Sequence, residues 1–434
     1  MSAKGLVWLA LVALVAGALT GVAGGLFRLA LTWADKAREA VVAYSHGYSY
    51  LGWLIPVLAA AFCVGVARFL VRFQPLAAGS GVQHVEAVMR GQADLAPPGV
   101  MPVKFFGGLL SIGAGMALGR EGPTVQMGAV IGSTLGRWLR LSKEDISALQ
   151  AATGGAGLGV AFNAPLGGTF FVFEEVSHYF RVRLTIVTLL ACGMAIAVAH
   201  LILGNPIEFD VSPPTIPGFW ALIPYLGMGL ILGALSVAYN RLIVIGLNVF
   251  ESFTAWPVEL RAALVGAVVG AIAWYDPWLV GGGDVINQRI LSAGIPLTTL
   301  AIVFILRWFL GPFCYSAGTP GGLFAPLLVL GAAFGFLYAG VLQALMPGLG
   351  LQPVGFAIVG MAAFFVGVVR APLTGIALVV EMTATTSMLV PLLIAAFGAM
   401  LVATLLGGEP IYDTLRERML RKDPSGKSFE ALAR

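Results

Sequence analysis

A charged pair, Arg120-Glu121, sits inside a long apolar run in the segment Gly119-Arg120-Glu121-Gly122-Pro123-Thr124. Gly-Pro is a suitable way into a helix, with Pro123 at its first position. A helix starting there aims free backbone N–H groups and roughly half a positive charge at the preceding loop. An ionised carboxylate at membrane depth costs several kcal/mol, so Glu121 must be paired, protonated part of the time, or beside a wet cavity. Two readings follow. In one, Glu121 and a halide compete for the same N–H groups, and protonation releases the glutamate, so that one residue couples proton binding to anion movement. In the other, Arg120 and Glu121 form a structural ion pair.

Two further glycine-rich bends precede apolar runs. Gly318-Thr319-Pro320-Gly321-Gly322-Leu323-Phe324-Ala325-Pro326 offers backbone N–H groups at Leu323 and Phe324. These partial charges suit a conduction path, where an ion must be bound firmly enough to enter and loosely enough to leave. Gly79-Ser80-Gly81-Val82 places a hydroxyl at another helix start, where Ser80 serves equally as anion donor or as plain N-cap. Tyr412, after Gly407-Gly408-Glu409-Pro410-Ile411, reads locally as an interfacial tyrosine. Glu174 and Glu175 close an apolar helix that begins near Pro165; locally each reads as a solvated helix-end carboxylate, and either is also placed to take up a proton.

The elements that position these residues must be membrane helices. Of the 434 residues, 59% are hydrophobic and 11% charged, against about 25% charged in a soluble domain. Uncharged runs include Gly5 to Phe27, Ile146 to Phe173, Met382 to Gly408 and the whole of Trp308 to Val369. A spanning helix needs about 20 apolar residues, so the last run holds several. The first run, after Lys4, is long for a secretory signal and reads as a first membrane helix. Glycine and proline break these runs at Gly79 to Gly81, Gly119 to Pro123, Pro320 to Pro326 and Pro372. Irregular backbone at membrane depth survives only where protein or a wet cavity satisfies it, so the breaks point to a buried site.

An internal echo marks two halves: Ala164-Pro165-Leu166-Gly167-Gly168, running to Glu174, returns as Ala371-Pro372-Leu373-Thr374-Gly375, running to Glu381. Interrupted segments in corresponding places of two halves are the sign of a transporter built from repeats. The halves fall at roughly 5–205 and 215–408, followed by an amphipathic helix at about 409–422 and a short polar tail, 423–434; residues 1–422 read as a single transmembrane domain. Arg416, Arg418, Arg421, Lys422 and Lys427 place the C-terminus in the cytoplasm. The tail leaves no room for an appended soluble domain.

Other classes find little support. The net charge of +4 and scattered basic residues form no nucleic-acid footprint. Cys63, Cys192 and Cys314 are far apart in apolar sequence, and His46, His84, His178 and His200 fall in no metal-ligand spacing. Neither metal nor cofactor is expected. A membrane enzyme would need a nucleophile with a base, or a metal cluster, and no such set is apparent.

In one order, GSGV, KFFGG, GREGPTVQMG, FNAPLGG, GGLFAP and RAPLTG resemble the CLC family of chloride channels and chloride/proton antiporters, over nearly the whole chain. The resemblance implies an all-α integral membrane protein of two inverted-topology repeats with many tilted and broken helices, assembled as a homodimer with one anion path per subunit. It implies that Ser80 and Tyr412 supply hydroxyls, and Leu323 and Phe324 backbone N–H groups, to a central anion. Glu121 is then the external gating carboxylate, flanked by Arg120 and Gly122, and Glu175 the internal proton glutamate of the family's antiporters, where its channels carry an apolar residue. Ser80 matches the chloride-selective members, making chloride the expected substrate, with bromide and nitrate also accepted. Gln83-His84 departs from the family's usual Pro-Glu. Together these imply a prokaryotic inner-membrane exchanger of chloride for protons, without nucleotide regulation; the alternative on the same scaffold is a passive chloride channel.

Overall fold

In the computed structural model, residues 3–48, 50–205 and 207–422 are described. The polar tail expected over 423–434, with Lys427, lies outside them. Helices account for nearly all regular structure; the extended pairings are isolated bridges, Gly79 with Pro320 and Gly119 with Gly322.

The first eight helices are α1 (Ala3–Ser45), α2 (Leu54–Leu70), α3 (Val82–Met89), α4 (Val100–Gly113), α5 (Glu121–Trp138), α6 (Lys143–Phe162), α7 (Pro165–Phe171), which continues as a π-helical turn (Val172–Ser177), and α8 (Val182–Leu203). The next eight are α9 (Leu222–Ser252), α10 (Val258–Tyr275), α11 (Asp284–Leu291), α12 (Leu297–Ser316), α13 (Phe324–Leu345), α14 (Pro353–Val369), α15 (Pro372–Thr383) and α16 (Leu389–Leu405); α17 (Ile411–Lys422) closes the described chain.

Helix α1 shows why this chain sits in lipid. It buries Leu9, Val12, Ala16 and Phe27 against protein, yet exposes Val7, Leu11, Val15, Leu19, Val22 and Leu26 on its other side. A helix apolar all round, with a stripe of that length left uncovered, has hydrocarbon as its outer solvent. Among the described residues, six helices are long and apolar enough to span. The helix runs well past the apolar stretch ending at Phe27, through Asp35, Lys36, Arg38 and Glu39, because Ala, Leu, Lys, Arg and Glu are all good helix formers.

Small residues let the helices touch backbone to backbone. Gly17 and Gly21 of α1 lie so close to Ala191 and Ala195 of α8 that a methyl group on either would overlap a carbonyl; Gly229 and Gly233 of α9 meet Ala395 and Ala399 of α16 in the same way. Likewise α5 packs on α6 as α13 packs on α14. Elements α1–α8 thus recur as α9–α16.

The recurrence reaches the polar groups. Lys104 of α4, fully buried, donates from Nζ to the carbonyls of Gly79 (2.6 Å) and Ser80 (3.0 Å), in the loop before the eight-residue α3. Arg307 of α12, also buried, donates to Gly281 (2.8 Å) and Gly282 (3.1 Å), before the eight-residue α11. Gly81 and Gly283, the N-caps of those two helices, have φ of +88° and +110°, which favour glycine. The echo found in the sequence is an exchange of caps. Glu381 accepts from the N–H groups of Leu166 (3.0 Å) and Gly167 (2.8 Å) at the start of α7, and Glu174 accepts from Leu373 (2.9 Å) and Thr374 (2.7 Å) at the start of α15. Each half satisfies the free N–H groups of the other, a reciprocity that a two-fold relation requires.

Candidate anion and proton site

Three glycine-rich loops are stitched together by backbone hydrogen bonds. Gly79 N donates to Thr319 O (3.2 Å) and Gly321 N to Gly79 O (3.1 Å), while Gly119 and Gly322 exchange a close pair (2.8 and 2.7 Å). The starts of α3, α5 and α13 therefore meet, and Ser80, Glu121, Gly122, Leu323 and Phe324 come together although they span more than half the chain.

Glu121 is fully buried, and its Oε1 accepts from the N–H of Phe324 at 2.7 Å; Oε2 has no hydrogen-bond partner within the protein. Gly322 makes room for it, since a methyl group there would fall on the carboxylate. Two expectations are corrected. Helix α5 begins at Glu121 and not at Pro123, which lies in its first turn because proline needs no partner for its nitrogen there. The N–H group that Glu121 occupies belongs to the start of α13 and not to the start of its own helix.

Arg120 does not pair with Glu121. Its guanidinium binds Glu208 and Asp284 (3.1 Å) and donates from Nε to Ala161 O (2.8 Å). Arg28 shares Glu208 (2.7 Å), so one carboxylate from the segment linking α8 and α9 bridges two arginines. The structural ion pair between neighbouring residues is thereby excluded, and the carboxylate of Glu121 is left to the α13 start. Gly122 packs against Ser80, whose Oγ lies 2.6 Å from where a Cβ would stand.

The hydroxyls of Ser80 and Tyr412 are both buried without a partner in the protein. Ser80 is no N-cap. Gly81 caps α3, and the Gly81 N–H donates instead to Oε1 of Gln83 (3.1 Å), so the departure at position 83 satisfies its own helix start and leaves the serine hydroxyl uncommitted. Tyr412 is fully buried on the first turn of α17, which overturns the interfacial reading; its ring packs 5.6 Å from that of Phe324. Phe324 is further held by Phe162, Phe171 and Phe365. Buried hydroxyls are nearly always hydrogen-bonded, so two orphans beside a helix N-terminus mark a place where something else accepts from them. Tyr412 lies near enough to both Glu121 and Glu175 to feel each charge.

The neighbouring glutamates 174 and 175 divide their work. Glu174 caps α15 and is not the solvated helix end that its local sequence suggests. Glu175, on the π-helical turn, is buried near enough to Glu86 for the two carboxyls to feel each other's charge. Glu86 in turn accepts from Arg416 (3.2 Å). Sequence reading missed Glu86, Lys104, Glu208 and Asp284, and took Arg416 only as a mark of the cytoplasmic end, not as a buried partner of Glu86. A lone lysine next to the uncharged run Phe105 to Gly119 was a usable signal for Lys104; Glu86, Glu208 and Asp284 carried none.

Broken helices that converge on unpartnered hydroxyls and a carboxylate-capped helix start, inside a lipid-facing shell, define an ion-transport protein of the membrane. The family described as voltage gated chloride channel matches residues 60–404, and the chain belongs to that family. It is 37% identical over 420 residues to the H(+)/Cl(-) exchange transporter ClcA of Vibrio parahaemolyticus serotype O3:K6, covering 95% of this chain and 90% of the relative. It is 36% identical over 430 residues to ClcA of Cronobacter sakazakii, covering 97% and 92%. Its fold is similar to the crystal structure of a slow cyanobacterial Cl-/H+ antiporter, with TM-score 0.92 and 33% identity over 95% of this chain and 98% of that one. A eukaryotic CLC transporter matches at TM-score 0.78 and 23% identity, over 95% and 74%, a likeness of fold.

Proposed function

We propose that this chain exchanges chloride for protons across a bacterial inner membrane. The observation that carries the reading is the Glu121 carboxylate accepting from the Phe324 N–H at 2.7 Å. A carboxylate and a halide compete for one neutral donor, and protonating the carboxylate removes the competitor. Ser80 and Tyr412, through their hydroxyls, and Leu323 and Phe324, through their N–H groups, hold the central anion. Glu121 is the external gate and Glu175 the internal proton carrier. Gly122 keeps the outer approach narrow, and Arg120, tied to Glu208 and Asp284, positions the gating loop. Bromide and nitrate share the charge and weak hydration of chloride and are also substrates.

Residues 1–422 act as one transport domain whose C-terminal end faces the cytoplasm, and two copies form a homodimer with independent paths. The exchange activity named for the bacterial relatives supports this reading. The test is proton uptake by proteoliposomes driven by a chloride gradient, with the voltage clamped by an ionophore. Wild-type protein moves protons uphill, and Glu121→Gln and Glu175→Gln each abolish that movement. Chloride flux without proton movement in the wild type would leave a channel.

A further inference from the structure

Glu175 is buried, so a proton reaching it from the cytoplasm needs a group that touches both the buried cluster and water. The charged groups around it are Glu86 on α3, Glu174 on its own π-helical turn, His178 just after that turn, Arg90 at the end of α3, and Asp413 and Arg416 on α17. Glu86 is 1% exposed. Glu174 is committed to the start of α15. Arginine does not release its proton in proteins, which removes Arg90 and Arg416 as carriers. His178 is exposed, and its Nε2 meets Arg90 at 2.8 Å, one step further from the cluster.

Asp413 is the remaining group. Its side chain is 33% exposed, it accepts from Arg416, and it accepts from Arg90 at 3.1 Å. Arg416 is 7% exposed, and the same Nη1 that holds Asp413 also holds Oε2 of Glu86, whose other oxygen, Oε1, has no donor. One buried guanidinium thus joins a wet carboxylate to a dry pair.

We propose that Asp413 is the cytoplasmic proton inlet for Glu175, and that Arg416 is the positioning residue that couples the two. This deepens the exchanger reading and rests on it. A proton from cytoplasmic water forms an O–H bond on Asp413, which weakens the hold of Asp413 on Arg416. The guanidinium then bears on Glu86 and keeps it ionised, so that when the Asp413 O–H bond breaks the proton is taken up by the carboxylate of Glu175. Asp413 returns to its ionised state and recaptures Arg416. Two adjacent carboxylates cannot both stay charged in a dry site, which makes the Glu86–Glu175 pair ready to receive that proton.

The experiment reconstitutes the full chain and measures chloride and proton fluxes separately, with the inner pH varied, for wild type, Asp413→Asn, Asp413→Glu, Asp413→His and Glu175→Gln. Removing a positioned proton carrier costs about tenfold or more. Asp413→Asn is expected to lose at least that factor in proton flux while chloride flux falls about twofold at most; Asp413→Glu restores coupling. Asp413→His places the inner-pH midpoint of proton flux in the imidazole range, about 6.5. Full proton flux in Asp413→Asn, with Glu175→Gln uncoupled, overturns the inlet and leaves the exchanger standing. Parallel loss of both fluxes in the Asn and Glu variants, without a midpoint shift in the His variant, overturns it in favour of a structural ion pair. A wild type that moves no protons overturns the exchanger reading, and the inlet with it.

Discussion

Replacing Glu121 with glutamine tests the competition at the start of α13 directly. The carboxylate Oε1 accepts from the Phe324 N–H at 2.7 Å while Oε2 has no partner, so this contact is the main hold of the side chain on the anion site. A hydrogen bond to an ionised group contributes about 1.5–3 kcal/mol and one between neutral groups about 0.5–1.5. The amide of Glu121→Gln keeps an acceptor but loses the charge, which reduces its claim on the N–H by about 1–1.5 kcal/mol. Chloride should therefore bind about tenfold more tightly to the variant. Isothermal titration of purified protein near neutral pH measures this. Wild-type affinity should also rise on acidification, as the gate is neutralised, whereas the variant should be flat. Unchanged or weaker chloride binding in the variant would refute the competition.

Ser80→Ala and Tyr412→Phe should each weaken chloride binding by about 0.5–1.5 kcal/mol, yet leave the anion-free protein as stable or more so, because each removes an unpartnered buried hydroxyl; titration and thermal unfolding without halide read the two signs. Glu208→Gln strips a shared carboxylate from Arg28 and Arg120, whose side chains are only 12% and 16% exposed, and should destabilise by about 3–5 kcal/mol, visible as a lowered Tm and lost chloride flux. Gly331→Leu should yield no monodisperse protein on size exclusion, since its Cβ would overlap the backbone of Gly360 across α13 and α14, while Gly193→Ala, in open space, should behave as wild type.

Legibility followed sequence distance. The membrane class, the broken helices and the glycine-rich starts were readable because each is written in a contiguous run of residues. The Ala-Pro-Leu-x-Gly echo was readable as a repeat, but its physical content, the exchange of Glu174 and Glu381 between halves, appears only when the chain is folded. Arg120 was misread toward its neighbour because its partners Glu208 and Asp284 lie 88 and 164 positions away. Glu86 and Arg416 lie 330 positions apart, and nothing local marks them as partners. Tyr412 shows the opposite case: its local sequence suggests an interface, the family resemblance a central anion, and the fold buries its hydroxyl beside Phe324.

The most direct test of exchange is the voltage at which net current vanishes. In reconstituted membranes with equal chloride on both sides and a pH difference across them, coupled exchange predicts a nonzero reversal voltage that disappears in Glu175→Gln. A reversal voltage of zero in the wild type, following the chloride gradient alone, would contradict the account.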